Sequence, residues 1–178
     1  MTNVTAAPIA RPQPDEYVPY YGKYISLVPE GDLVETLRTQ VGETLSLLRT
    51  IPEERASYRY APGKWSIKEV VGHMADVERV MTYRALRIAR ADATPLPGFD
   101  ENAYVPAANF DARPLASLAR EFEEVRRATV AFFETLEPDA AARRGSANNN
   151  EISARALAYI VAGHERHHVK ILRERYLK

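Results

Sequence analysis

The chain carries four histidines, His73, His164, His167 and His168, and no cysteine. At about 100° per helical residue, His164 and His168 lie about 40° apart. Both fall in the middle of the apolar stripe formed by Leu157, Ile160, Val161 and Ile171, while His167 falls on its flank. An i, i+4 pair of imidazoles on one helix face points both rings at a single point, as helical zinc sites do. Two buried imidazoles without partners would each cost roughly a few kcal/mol. A divalent ion offsets that penalty by taking both lone pairs. A single histidine on an apolar face is more commonly a hydrogen-bonded core residue. Spacing alone therefore leaves the ligand and core readings of this pair open.

His73 offers a third imidazole from another helix, at the edge of the stripe of Val70, Val77 and Met81. Asp76, one turn on, could accept the other ring N–H of a ligating histidine or take up a proton. A solvated surface acid is the commoner role for such a residue. His167 is expected beside the ligands or at the rim of the site, as a second candidate proton acceptor. Three imidazoles without a thiolate leave a fourth position for water or substrate, which is the catalytic rather than the structural pattern.

Four amphipathic helices must position these groups. The first is expected over about 32–50 on Leu33, Leu37, Val41, Leu45 and Leu48, stopped by Pro52. The second begins at the capping box Ser66-Ile67-Lys68-Glu69 and runs to about Ala91. The third follows Pro114 and runs to about Leu136. The fourth starts at Ser153, with Ile152 placed to staple onto Leu157. A long loop spans 92–113, and a polar connector spans 137–150. Residues 1–29 hold prolines at 8, 12, 14, 19 and 29 and several tyrosines, so an extended arm packed on the bundle is expected. The expected organisation is thus an arm over 1–29 and an all-α four-helix bundle over 30–178.

The 178 residues suit one domain, and 46% hydrophobic with 27% charged residues is an ordinary globular composition. Twenty-four basic residues balance 24 acidic ones, so no net field draws nucleic acid or an anionic membrane. Lack of cysteine excludes disulfides, a thiolate nucleophile and sulfur-ligated metals. The first ten residues lack the basic flank and apolar core of a secretory signal, and no apolar run approaches a bilayer span. A cytoplasmic protein is expected.

Two segments resemble the DinB superfamily of metal-binding four-helix proteins. Lys64-Trp65-Ser66-Ile67-Lys68-Glu69-Val70-Val71-Gly72-His73-Met74-Ala75-Asp76-Val77-Glu78 is similar to its second-helix motif. Gly163-His164-Glu165-Arg166-His167-His168-Val169-Lys170-Ile171-Leu172 is similar to its C-terminal His-x-x-x-His motif. Pro97-Gly98-Phe99-Asp100-Glu101-Asn102-Ala103-Tyr104 is similar to the loop between its second and third helices. The resemblance implies an up-up-down-down bundle with long crossover connections. It implies His73, His164 and His168 as ligands of one divalent ion, Ni²⁺ or Zn²⁺, often in a homodimer. Its members include low-molecular-weight-thiol S-transferases, thiol-dependent isomerases and proteins described as metal-dependent hydrolases. The expected function is therefore metal activation of a water or a small thiol towards a small-molecule substrate. The alternative is a non-catalytic stress-response protein in which the ion only ties helices together.

Overall fold

The computed structural model describes residues 7–178, so residues 1–6 of the expected arm lie outside the described residues. In chain order the elements are a single helical turn α1 (Gly22–Ile25), α2 (Leu33–Arg49), α3 (Ile67–Ala89) and a short α4 (Glu101–Ala108). Then come α5 (Leu115–Phe133), a short α6 (Pro138–Ala142), the strands β1 (Arg144–Ala147) and β2 (Asn150–Ser153), and α7 (Ala154–Ile171). The four long helices α2, α3, α5 and α7 form the bundle. Three of them start on side-chain caps that satisfy otherwise unpaired amides. Asp32 accepts from the Val34 amide at 2.8 Å, and Ser153 accepts from the Ala156 amide at 3.0 Å. Ser66 and Glu69 close the reciprocal box at 3.1 and 2.8 Å. Helix α5 lacks such a cap at Pro114, and the Leu115 amide instead donates to Glu53 at 2.9 Å.

The principal packings are α3 on α7, α3 on α5, α2 on α5 and α2 on α7, which puts α2 diagonal to α3 and α5 diagonal to α7. Cross-links fix the directions. Gln40 meets Ala162 and Thr44 meets Glu165, so α2 and α7 run parallel. Glu78 meets Arg126 and Thr82 meets Thr129, so α3 and α5 run parallel. Leu33 and Leu37 share one apolar cluster with Phe133 and Leu136, while Leu48 shares the other with Leu118 and Phe122, so α2 and α5 run antiparallel. The four-helix bundle is therefore present, but its order is up-down-down-up, not the up-up-down-down order that the resemblance implies. The physical reason lies in the connections. The 92–113 segment carries the chain the length of the bundle, and α5 re-enters beside Glu53, at the end where α3 began; the other two connectors reverse direction.

The interior divides into two apolar halves. One gathers Leu33, Leu37, Val77, Ile88, Leu157 and Ile160, and the other gathers Leu48, Ile67, Met74, Phe122, Val169 and Leu172. Between them, at the waist, lie the buried polar groups. Arg126, 1% exposed, donates to both oxygens of Glu78 at 2.8 Å and pairs with Glu165 at 2.7 Å. Thr44 donates to Glu165 at 2.6 Å, and Gln40 also donates to it. One network thus joins all four long helices and sets the rotation of α7 one residue from His164.

The segment before α2 lies on the bundle and buries Ile9, Tyr24, Ile25 and Val28. Glu16 is buried against Arg155; burial pushes its carboxyl up, but Arg155, the Gln13 amide and Ser153 outweigh this and hold it at about 2. Pro14 and Pro19 each open a 3-10 turn, and the proline-free stretch between Pro19 and Pro29 makes the single turn α1. That turn rests on α7 at Gly163, where a Cβ would stand 2.0 Å from the Tyr24 carbonyl oxygen. Gly163→Ala should therefore lower stability by about 1–3 kcal/mol, since backbone must move. That loss is net of the roughly 1 kcal/mol that alanine gains over glycine within a helix. Thermal unfolding should fall by about 2–12 °C. An unchanged or raised midpoint would show that the turn is not held against α7.

Two connectors contain structure that the sequence reading leaves as loop. Asp100 caps α4 by accepting from the Asn102 amide at 2.9 Å, and Pro106 falls near its C-terminal end, before left-handed Asn109. The 137–150 connector folds into α6 and then the β1–β2 hairpin, with Asn148 and Asn149 both left-handed at its turn. Asparagine tolerates that conformation, and two such residues suit a two-residue hairpin turn.

Candidate metal centre

His73 stands on α3 and His164 and His168 on α7, all three at the waist, with exposures of 6%, 6% and 9%. Because α3 and α7 run antiparallel and pack most extensively, one residue from α3 can face two from consecutive turns of α7. The His164 Nε2 lies 3.1 Å from the Nε2 of His73 and 3.1 Å from the Nε2 of His168. Trp65 covers His73 with ring centroids 4.6 Å apart, and Tyr24 meets His164 edge-on at 5.4 Å. Gly72, before His73, leaves space that Phe110 fills; a Cβ there would meet its ring at 2.4 Å.

Burial pushes all three imidazoles down: His73 to about 4, and His164 and His168 well below their ordinary value, with the neighbouring imidazoles adding to the effect. They are neutral at neutral pH, the form that ligates. Neutral rings do not satisfy one another here. An imidazole nitrogen has either one hydrogen or one lone pair in the ring plane, so the His164 Nε2 serves only one of its two contacts well. The Nδ1 of His168 is buried without a hydrogen-bond partner. Ions held at about 2.0–2.1 Å by imidazole need ligand nitrogens about 3 Å apart. The donor set and spacing therefore fit a divalent cation such as Zn²⁺ or Ni²⁺.

Among the described residues no carboxylate joins these three imidazoles. Glu69 is engaged in its capping box and with Arg59, and Glu165 in the Arg126 network. Asp76 points towards Arg79, at 3.4 Å, in a group with Glu121 and Arg113. Burial pushes its carboxyl up, but it hydrogen-bonds to none of the histidines. His167 is half-buried, edge-on to Tyr24 at 5.3 Å and to His168 at 5.2 Å, outside the convergent group. The structure brings together the three expected ligands and leaves Asp76 and His167 apart from them.

His73 and His164 line a cavity of about 370 Å³. Its walls come from α3 (Val77, Met81, Arg84), the arm (Tyr21, Tyr24), Phe99 before α4 and the hairpin turn. Trp65, Tyr24 and Arg84 are the site residues that sequence reasoning passes over. Trp65 had one signal, its place beside the cap of α3; the other two are brought in by contacts between distant segments.

Fold and centre together define a four-helix bundle with a three-imidazole site that could hold a metal ion. The chain belongs to the DinB superfamily, whose family model matches residues 36–172. It is 29% identical over 140 residues to a protein of Oceanobacillus iheyensis named for a proposed metal-dependent hydrolase activity, covering 76% of this chain and 77% of the relative. The solved structure of YfiT from Bacillus subtilis, described as a four-helix bundle of unusual topology and proposed as a metal-dependent hydrolase, superposes with a TM-score of 0.65. That match covers 93% of both chains at 16% identity, which speaks to the fold alone.

Proposed function

We propose that this chain is a metal-dependent hydrolase that holds one divalent ion, Ni²⁺ or Zn²⁺, through His73, His164 and His168. The observation that carries this reading is three buried, neutral imidazoles converging beside an open cavity, with no carboxylate among the described residues closing the group. A divalent ion in such a site lowers the pKa of a water to about 7 and so supplies a nucleophile at neutral pH. The protein's own part is to fix the three rings. Trp65 and Tyr24 pack against the rings of His73 and His164, and the Arg126 network holds α7 in register. Apolar walls at Val77, Met81 and Ile160 exclude bulk water from one side of a bound substrate. The names given to the two similar proteins weigh towards hydrolysis. A small thiol could take the place of water; lacking cysteine, the chain would need that thiol as a cosubstrate.

Metal analysis of protein purified without a metal-affinity tag tests the proposal, with about one divalent ion per chain expected. After exchange for Co²⁺, the visible spectrum should change with pH and on adding a small thiol, because the fourth position is accessible. Folded protein that takes up no ion on dialysis against Zn²⁺ or Ni²⁺ would overturn it. A bound ion whose spectrum ignores both pH and thiol would leave only a structural role.

A further inference from the structure

We infer that the cavity receives a substrate bearing a carboxylate, with Arg84 as its anion-binding residue at the end remote from the three imidazoles. The inference rests on the proposed reading of the site for what happens at the other end of the substrate.

Among the described residues two arginines are buried, and they are treated differently. Arg126 is matched by Glu78 and Glu165. Arg84, 4% exposed, has no carboxylate within 4.0 Å among the described residues, and residues 1–6 contain no acid. One guanidinium nitrogen donates to the Pro97 carbonyl at 2.6 Å, and another lies 3.8 Å from the Met81 sulfur. The guanidinium lies 5.4 Å from the Phe99 ring centroid. Arginine stays charged in proteins and carries five N–H donors, and its polar neighbours here, the Pro97 carbonyl and the Tyr21 side chain, are neutral. A buried charge without a counterion is normally strongly disfavoured, and a cavity that admits an anion removes the anomaly.

The placement gives the anion's position. His73, Val77, Met81 and Arg84 follow at intervals of four, four and three along α3, so they share one face and line one cavity. Eleven residues of helix rise about 16 Å, and long helical side chains lean back towards the N-terminus. The guanidinium therefore stands on the order of 10 Å from the imidazole group. Between them the wall is apolar: Val77, Met81 and Ile160. Glu101 and Glu151 also line the cavity, and neither is paired with Arg84. Those acids disfavour a phosphate dianion, while a single guanidinium fork matches a planar monoanionic carboxylate. The substrate class is a short acid with an apolar middle, its reacting bond at the far end from the carboxylate.

Calorimetric titration of the metal-loaded protein with suberic acid monohydroxamate and with octanohydroxamic acid, its neutral counterpart, tests this. The hydroxamate occupies the metal in both, so only the carboxylate differs. The acid should bind at least about tenfold more tightly. Arg84→Gln should abolish that preference and Arg84→Lys should retain part of it. Equal affinities with the unaltered protein, or a preference that survives Arg84→Gln, would overturn the inference. Should Arg84→Gln fail to fold, the comparison on the unaltered protein decides. An eight-carbon phosphonate binding more tightly than the carboxylate would also overturn the choice of substrate class. Titrating metal-stripped protein with suberate against suberamide separates the two proposals. Preference for suberate there supports Arg84 even if no metal binds, and its absence counts against Arg84 while leaving metal binding intact.

Discussion

His73→Ala, His164→Ala and His168→Ala each lower bound divalent metal by at least ~10-fold, whereas His167→Ala lowers it far less. The expectation follows from where the ring nitrogens are. The Nε2 atoms of the first three form one chain of 3.1 Å contacts, while the ring of His167 is turned towards Tyr24. A variant with two imidazoles also leaves the remaining ring lone pairs unmatched in a buried pocket. The protein itself should survive: a buried ligand shortened to alanine removes an unsatisfied polar group as well as a contact. Metal content after exhaustive dialysis, with far-ultraviolet circular dichroism as the check on folding, reads the outcome. Equal loss in all four variants would end the distinction between His167 and the others.

Much of this site was legible because helices obey simple periodicities. Ser66 and Ser153 announce two helix starts by side-chain type alone, and both make the expected hydrogen bonds; Asp32 caps α2 in the same way. The i, i+4 spacing of His164 and His168 needs only the helical pitch to bring both onto one face. The single distant histidine, His73, then had few other places to go. What could not be read depends on how helices are arranged against one another. Helix direction is the clearest case: nothing in the hydrophobic pattern of α5 says which end of the bundle it enters, and only the path of residues 92–113 decides it. Asp76 shares a helix with His73, yet the face it occupies belongs to α5 and its partner is Arg79. The hairpin at 144–153 escaped because its strands are four residues long, with little apolar alternation. Arg84 looks in sequence like any of the chain's other arginines, and its isolation from acids exists only in three dimensions.

Arg126→Met should destabilise the fold by about 3–5 kcal/mol, because it strands two carboxylates in the interior. For a chain of this size that corresponds to a fall of about 6–20 °C in the thermal midpoint. Burial pushes the Arg126 guanidinium down, but Glu78 and Glu165 outweigh it and raise its pKa above the ordinary value. The interaction therefore works in the direction of keeping the ion group together once it is buried. Favourable pairing in the folded state does not make the group a net source of stability, since all three charges had to leave water. The triple variant Arg126→Met, Glu78→Met, Glu165→Gln should accordingly recover most of what the single variant loses. It retains an amide at 165 for Thr44, and it removes every uncompensated charge. Its remaining defect would be in register, since Glu165 ties the turn of α7 that carries His164 to α2 and α5. Chemical denaturation of the two variants beside metal titration separates these effects. A single variant that loses less than about 1 kcal/mol would mean the carboxylates are solvated or protonated at little expense. A triple variant as unstable as the single one would mean the ion group stabilises the bundle outright. In the expected outcome the triple variant is stable but binds metal more weakly, because the charges at the waist hold α7 at the rotation that brings His164 and His168 to His73.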